Sequence, residues 1–500
     1  MNDFDVIIIG SGLGGLLCGY ILSKEGKNVC ILEKNRQPGG CLQSFRKHGV
    51  DFDTGVHYIG VLGEGQVLNR YFRYFGLNDK VKFRKLDENG FDIIAFEDKE
   101  YPMAMGFENF KEQLLPFFPS EKKTLQNYVE ALQTISRAFP LYNLQVPKDQ
   151  REDIYYNRSA YGFFKSFSTA DPNGQNNRHQ LPDVLAGNNF LYAGNPESTP
   201  LHIAALINHS FISGAWRPVD GTAQISERLV NQIRSAGGKL ITGREVSGIG
   251  INNNIFQIDT KEGENFTAQN LVSAIHPSQT LAMTDPSILR KVYSGRIMSL
   301  KNTPSCFTLF IILKENSFPE MNYNYYFHSG ENVWTGSLGN NWPGNYMLYT
   351  PACSGSNAYA KSMVIMTVMN FDEVRKWEKT SSSHRGQDYL DFKDQKSEIL
   401  LTLVEKRFPG LRSKIKFMES STPLTWRDHT GTPEGSMYGI QKDFNDPMKT
   451  TILPRTKIPN FYFTGQNTNV HGVLGVTIGS VMTCGEMIGI DWLIKKIRNA

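Results

Sequence analysis

This 500-residue sequence predicts an α/β fold built on a parallel sheet, and three observations carry that prediction. A strand, a glycine turn, a helix and a second strand fill residues 6–34. α/β patterning returns near residue 218, and residues 455–500 close on strand, turn and helix. In the opening unit, Val6-Ile7-Ile8-Ile9 is the strand and Gly10-Ser11-Gly12-Leu13-Gly14-Gly15 is a G-x-G-x-x-G turn. Leu16–Glu25 is the helix, and Val29–Leu32 is the second strand, ending at Glu33 and Lys34. Each part has a task in a Rossmann-like dinucleotide site. Gly10 permits the tight turn, Gly12 lets the backbone approach a pyrophosphate, and Gly15 lets helix and strand pack closely. The pyrophosphate rests on the free N–H groups of the helix N-terminus. Glu33 follows at the spacing of an acid that accepts a hydrogen bond from a ribose 2′-OH.

Further along, Glu121–Ala138 predicts a helix, and Pro147–Pro182 is a polar, loop-like stretch rich in Asn, Ser and Gln. Ala223–Ala236 has helical periodicity and stops at Gly237-Gly238. Strands are predicted at Lys239–Thr242 and Glu245–Ile249. Cys306–Leu313 and Met363–Met369 are strand candidates, and Ser397–Phe408 a helix. The nucleotide-binding domain is thus expected in three segments, 1–70, 215–284 and 455–500. A substrate domain of mixed sheet and helices, 71–214 and 285–454, is inserted between them.

Composition narrows the function. A net charge of +4, 40% hydrophobic content and no basic block argue against a nucleic-acid partner. The six cysteines show no CxxC spacing, so neither a metal site nor a disulfide framework is expected. The first strand begins by Phe4, which leaves no room for a signal peptide and makes a cytoplasmic setting the expectation. The longest apolar runs fall short of the ~18 residues of a spanning helix. The C-terminal run Trp492–Arg498 mixes apolar and cationic residues. It reads either as a segment lying in a membrane interface or as a solvated helix end with favourable cations.

The closing segment points to a flavin. Asn460–Gly465 is a short aromatic strand ending in glycine, Gln466–Leu474 a polar loop, and Gly475–Ile488 a helix of small and apolar residues. A helix N-terminus aimed at a flavin ring would stabilise negative charge at N1 and C2=O of its reduced form. A strand and helix that merely complete the sheet are the alternative.

With these motifs in hand, the chain resembles FAD-dependent oxidoreductases of the phytoene desaturase, carotenoid isomerase and retinol saturase group, within the amine-oxidase-like flavoprotein fold. The resemblance rests on the unit Gly10–Glu33, on Gly39-Gly40, and on Gly49–His57, which looks like the strand lying against the isoalloxazine. It also rests on Gly214–Pro218 leading into Asp220-Gly221, and on Tyr462–Asn467 with His471–Thr477. It implies FAD as cofactor, held by Gly10, Ser11, Gly12, Leu13, Gly14, Gly15, Glu33, Lys34, Gly39, Gly40, Cys41, Thr54, Gly55, Val56, His57, Val246, Gly465, Gln466, Leu474, Gly475, Val476 and Thr477. The chain departs from the wider pattern where Asp220-Gly221 replaces a glycine pair, Gln466 an acid, and Cys41 the arginine of many amine oxidases.

The expected activity is hydride exchange at flavin N5 with carbon–carbon double bonds of a polyene or isoprenoid lipid, by saturation first and by isomerisation or desaturation next. An amine oxidase using O2 and a non-catalytic binding protein of the same fold are the alternatives. Such chemistry needs chiefly the flavin and an apolar tunnel. Aromatic-rich segments such as Tyr323–Phe327 and Trp342–Tyr349 could line one. His471, just before the flavin-facing helix, is the candidate catalytic residue, as a proton donor or acceptor, or else it fixes its loop. His57 reads more readily as packing, and Arg217 as a phosphate ligand or salt-bridge partner. Only one complete G-x-G-x-x-G unit is present, so electrons are expected from a separate donor or acceptor and not from a nicotinamide domain.

Overall fold

The structure, a computed structural model, describes residues 2–147, 155–168, 181–330, 333–334, 342–355, 358–382, 384–468 and 470–500. Phe4–Ile9 is apolar on both sides, as a strand covered on both faces must be, and it lies inside a seven-stranded sheet. Val29–Glu33 pairs with it in parallel, Val6 opposite Val29, and Lys239–Thr242 pairs in parallel beyond. On the other flank Asn265–Ser273 runs parallel, with Ile9 opposite Ser273. The far edge of that long strand is shared. Its first residues pair antiparallel with Ile255–Thr260, which in turn pairs with Val246–Asn252. Its last three pair in parallel with Phe461–Phe463. The strand from the end of the chain therefore enters beside the one that flanks Phe4–Ile9.

Three helices cover this sheet: an opening helix Leu13–Lys24, a central helix Ala223–Ser235 and a closing helix Gly472–Ile488. Eleven of the twelve residues of the opening helix are buried, because other elements surround it. Its neighbour on one side is the closing helix, where Ser480 Oγ donates to Gly14 O (3.3 Å) and Cys18 Sγ lies 3.5 Å from Thr464 Oγ1. Both helices begin earlier than glycine's poor helix propensity suggests, at Leu13 instead of Leu16 and at Gly472 instead of Gly475. The glycines there answer to close packing, which overrides propensity.

A second seven-stranded sheet runs in the order 415–421, 305–313, 362–369, 345–349, 324–328, 92–95, 100–103. Only 324–328 with 92–95 is parallel. Every residue of Ser305–Leu313 and Ser362–Met369 is buried, which explains why these strands read as unbroken apolar runs. One face packs on a large aromatic core that includes Phe52, Phe310 and Tyr326. The other carries the helix Gln387–Arg407. That helix is longer than Ser397–Phe408 because its first turns are largely exposed and polar, with no apolar period to reveal them. A helix fills Lys122–Arg137. Within the stretch 147–182 a short helix, Ala160–Lys165, is present; residues 148–154 and 169–180 lie outside the described residues.

Three readings are corrected. Gly49–His57 is not one strand: Val50–Asp53 forms a hairpin with Ser44–Lys47, and the chain then turns off as the Thr54 N–H donates to Gln43 O. Among the described residues Arg217 makes no ion pair with a carboxylate. Buried, its guanidinium donates to the carbonyls of Met321, Thr350 and Tyr323 and to Asn324 Oδ1, tying strand Ala215–Pro218 to the second sheet. The C-terminal helix Ile490–Arg498 packs Leu493, Ile494 and Ile497 into the core, while Lys496 pairs with Glu25 and caps the Trp492 ring at 3.7 Å. Its apolar face is therefore already used, as in the solvated-end reading.

The close packing at the opening turn can be tested. A Cβ on Gly15 would stand 2.0 Å from the Gly10 carbonyl oxygen, backbone that cannot yield, whereas one on Gly250 meets nothing within 4 Å. Gly15→Ala should cost about 3 kcal/mol in urea or thermal unfolding, and Gly250→Ala less than about 0.5 kcal/mol. Equal stabilities would show that the turn has slack.

Candidate active site

The parallel strands Phe4–Ile9, Val29–Glu33 and Asn265–Ser273 end at one edge, and the glycine turn crosses it. Gly10 adopts φ +91° and Gly40 φ +56°, conformations that favour glycine. A Cβ on Gly40 would come 3.0 Å from Gly12 Cα, and one on Gly14 2.9 Å from Gly465 Cα. Gly39 N–H donates to Ser11 O (3.0 Å). The opening turn, Gly39-Gly40 and Gly465 thus form one backbone cluster. Gly12 is different: a Cβ there would meet nothing within 4 Å. It caps the opening helix with no side-chain hydrogen bond, so backbone N–H donors face open space. That is the cradle an anionic pyrophosphate fits.

Glu33 is buried at the end of its strand. Its Oε2 accepts from Ser11 N–H (2.9 Å) and Ser11 Oγ (2.6 Å), and its Oε1 from Asn35 N–H (2.8 Å). The acid therefore clamps the turn to the end of its own strand with both carboxylate oxygens. Val246 is buried at the same edge, two residues past Arg244, whose N–H donates to Glu33 O (2.9 Å). Lys34 points elsewhere, to the carbonyl of Asp428. Leu13, Val476 and Thr477 are buried helix residues, and the Thr477 hydroxyl donates to Val473 O. Cys41 packs against Gly55, and burial pushes its thiol up to about 11. Gln466 is half-buried.

Asp53 holds the central helix in place. Its carboxylate accepts from Thr222 N–H (2.8 Å) and Thr222 Oγ1 (3.0 Å), and burial raises its pKa to about 6. Asp220, where a glycine was expected, takes φ +61° and accepts from the Ser354 N–H.

Next to this cluster lies a cavity of about 1250 Å³, lined by Gly55, Val56, His57 and Tyr58 on one side and by His471–Gly475 on another. Gly10–Gly15 and Glu33 do not line it. Of the expected residues, Gly55, Val56, His57, Leu474 and Gly475 line the cavity, while the glycine turn, Gly39-Gly40 and Gly465 form the backbone cluster beside it. That N-terminus has no side-chain cap, so its donors are free for a ring carbonyl. Much of the remaining wall is apolar or aromatic, including Phe139, Leu206, Phe211 and Tyr438.

The histidines here are neutral. His471 Nε2–H donates to Leu191 O (2.9 Å), its ring stacks on Tyr438 at 4.1 Å, and burial lowers its pKa to about 4. His57 Nδ1 shares a hydrogen bond with Tyr349 OH (2.6 Å), and burial with the nearby Arg217 takes its pKa to about 3. His202, also in the wall, is lowered to about 3 by burial.

Two features of the wall escaped the sequence reading. Tyr58 OH donates to Asp92 Oδ2 (2.9 Å) and meets Tyr326 OH (2.8 Å), while Asn324 Nδ2 donates to Asp92 Oδ1 (2.8 Å). Burial raises Asp92 to about 7. Lys442 donates to the carbonyls of Asn467 (2.8 Å) and Thr450 (3.1 Å), and burial pulls it down to about 7. A lone acid in a strand and a lone lysine in a loop carry no sequence signature of such positions. Among the described residues no cluster of His, Cys, Asp or Glu could hold a metal ion, and no helix is long and apolar enough to cross a membrane.

The profile of the family described as Flavin containing amine oxidoreductase matches residues 13–480. All-trans-retinol 13,14-reductase of Danio rerio is 23% identical, over 97% of this chain and 86% of its own. Prolycopene isomerase 1, chloroplastic, of an Oncidium hybrid cultivar is 23% identical over 99% and 85%. A solved putrescine oxidase bound to putrescine superposes over 99% of both chains with TM-score 0.64 at 13% identity, a likeness of fold.

The open space at Gly12 yields a selective test. Gly12→Gln clashes with no protein atom at Cβ, yet it fills the pyrophosphate approach. The variant should fold with the circular dichroism of the wild-type apoprotein and carry no flavin absorbance. Retained flavin would place the pyrophosphate elsewhere.

Proposed function

The chain belongs to the flavin containing amine oxidoreductase family and binds FAD, and from that premise we propose that it acts on carbon–carbon double bonds of a polyene or isoprenoid lipid. Saturation is the first reading, isomerisation or desaturation the next. The observation that carries this is the cavity. It is large, rich in apolar and aromatic side chains, and reaches the uncapped N-terminus of the closing helix. Its charge supports the same reading. Among the described residues its wall holds five Lys or Arg and one acid, Asp443. A cationic amine entering it would be repelled, which disfavours amine oxidation. The retinol reductase and prolycopene isomerase relatives act on polyenes, as their names say.

When bound, the flavin supplies hydride exchange at N5. The chain's own residues do the rest. Gly10–Gly15 and Glu33 hold the dinucleotide end. Gly55–His57 and the free N–H groups at Gly472–Gly475 face the ring, where the helix dipole stabilises negative charge. The apolar walls exclude water and align the rigid polyene. His471 keeps its Nε2 proton on Leu191, so Nδ1 is the position left to exchange one: in desaturation it would take the proton that leaves substrate, and in saturation, once protonated from solvent, it would give that proton to the carbon beside the one that receives hydride. Gly248 and Gly250 lie within the strand Val246–Asn252 and open no helix, in keeping with an electron donor or acceptor outside this chain. The setting we propose is the cytoplasm, at the inner face of the membrane where such lipids dissolve.

The direct test is anaerobic. Photoreduced enzyme mixed with a polyene such as retinol or a carotenoid should bleach or shift the polyene absorbance, whereas oxidation of a primary amine by the oxidised enzyme would overturn the reading. NADH and NADPH should not bleach the flavin at the rate of turnover. His471→Ala should retain FAD and lose about 10²-fold in turnover; unchanged turnover would leave this histidine only its tie to Leu191. Because burial keeps it neutral down to about pH 4, the wild-type pH profile should show no break from His471 between pH 5 and 8.

A further inference from the structure

The cavity reaches the surface along a lip made by the helix Lys291–Met298 and the segment 447–457. Eight large apolar side chains are exposed among the described residues, and four of them lie in these two stretches. Val292 is 88% exposed, Met448 79% and Leu453 49%, and all three line the cavity. Single exposed apolar residues are ordinary, but a group of them at one opening is not. The surrounding charge is one-sided: stretches 285–298 and 442–457 carry seven Lys or Arg against three Asp, and it stays basic after Lys442, held on the carbonyls of Asn467 and Thr450, and Arg455, paired with Glu486, are set aside. Arg296 fastens the two halves of the lip, its Nη1 donating to the carbonyls of Met448 (3.2 Å), Lys449 (2.6 Å) and Thr451 (3.2 Å). The apolar tips are thus presented together.

We propose that this lip is the surface by which the protein docks on an anionic lipid bilayer, with Val292, Met448 and Leu453 entering the acyl boundary. Arg290, Lys291, Lys449 and Lys457 are exposed and meet the headgroups. Apolar insertion combined with attraction to anionic lipid is the usual physics of an interfacial anchor. The placement has a further consequence. A sparingly water-soluble substrate would pass from the bilayer into the cavity without crossing water. The inference rests on the polyene reading for its purpose, though not for its test. It moves the membrane contact away from Trp492–Arg498, whose apolar face is packed inside.

The experiment is flotation of the FAD-loaded protein with phosphatidylcholine vesicles, with and without phosphatidylglycerol. The wild type should float with the anionic vesicles and be released by salt. The triple variant Val292→Glu, Met448→Glu, Leu453→Glu should bind at least about tenfold less, with unchanged FAD content and thermal midpoint. Trp492→Glu should bind as the wild type does. Undiminished flotation of the triple variant overturns the proposal. So does loss of binding in Trp492→Glu alone, or a triple variant that changes only the sedimentation of a self-associated form. Conversion of detergent-dispersed polyene without vesicle binding would leave the polyene reading standing and the docking surface refuted. Vesicle binding through this lip without conversion of any polyene would do the reverse.

Discussion

Backbone meeting backbone at three pairs of glycines is the constraint on which the site depends. Gly15 rides over the Gly10 carbonyl, Gly40 lies against Gly12, and Gly14 against Gly465. A side chain on Gly14, Gly15 or Gly40 would push the elements apart by more than packing can absorb. Because the contacts are so close, the opening helix can stand directly on the strand before it, and the C-terminal strand can come up beside it. One helix N-terminus faces the dinucleotide cradle and a second faces the cavity. Without them the same sheet would carry two helices and no site.

Electrostatics divides the space so formed. In the cradle, backbone N–H groups and a buried acid suit an anionic, hydroxyl-bearing ligand. In the cavity, burial keeps His57, His202 and His471 uncharged, and the cations that remain lie on the wall formed by residues 290–296 and 442–457. Asp92 shares its proton-bearing network with Tyr58 and Tyr326 behind the wall. Around Gly55–His57 the histidine is uncharged, and the nearby Arg217 is spent on backbone carbonyls and on Asn324.

What could be read in the sequence was whatever depends on local pattern. The run Val6–Ile9, the spacing of Gly10, Gly12 and Gly15, and the apolar stretches Cys306–Leu313 and Met363–Met369 each announce their structure through composition and period. Helix starts were placed late at Leu16 and Gly475, because glycine argues against helix unless a partner's backbone demands it. The first turns of Gln387–Arg407 were invisible because polar, exposed residues have no period to show. Arg217 was misread for a different reason: its four acceptors come from residues 321–324 and 350, more than a hundred positions away. Lys442 and Asp92 escaped notice on the same ground, since long-range burial alone gives them their character.

The arrangement of the first sheet also governs how the molecule comes into being. Its Phe461–Phe463 strand and closing helix are synthesised long after the opening helix on which the closing helix packs. Until then the opening helix, buried on nearly every side in the finished fold, has one flank bare, and the edge of Asn265–Ser273 lacks its last partner. Contacts of such long sequence separation form slowly, and exposed apolar surface in the meantime invites aggregation. Arrested or clipped chains that stop before Phe461 should thus be substrates for chaperones and proteases, and FAD present during synthesis would favour the form that holds this strand and helix by binding it alone.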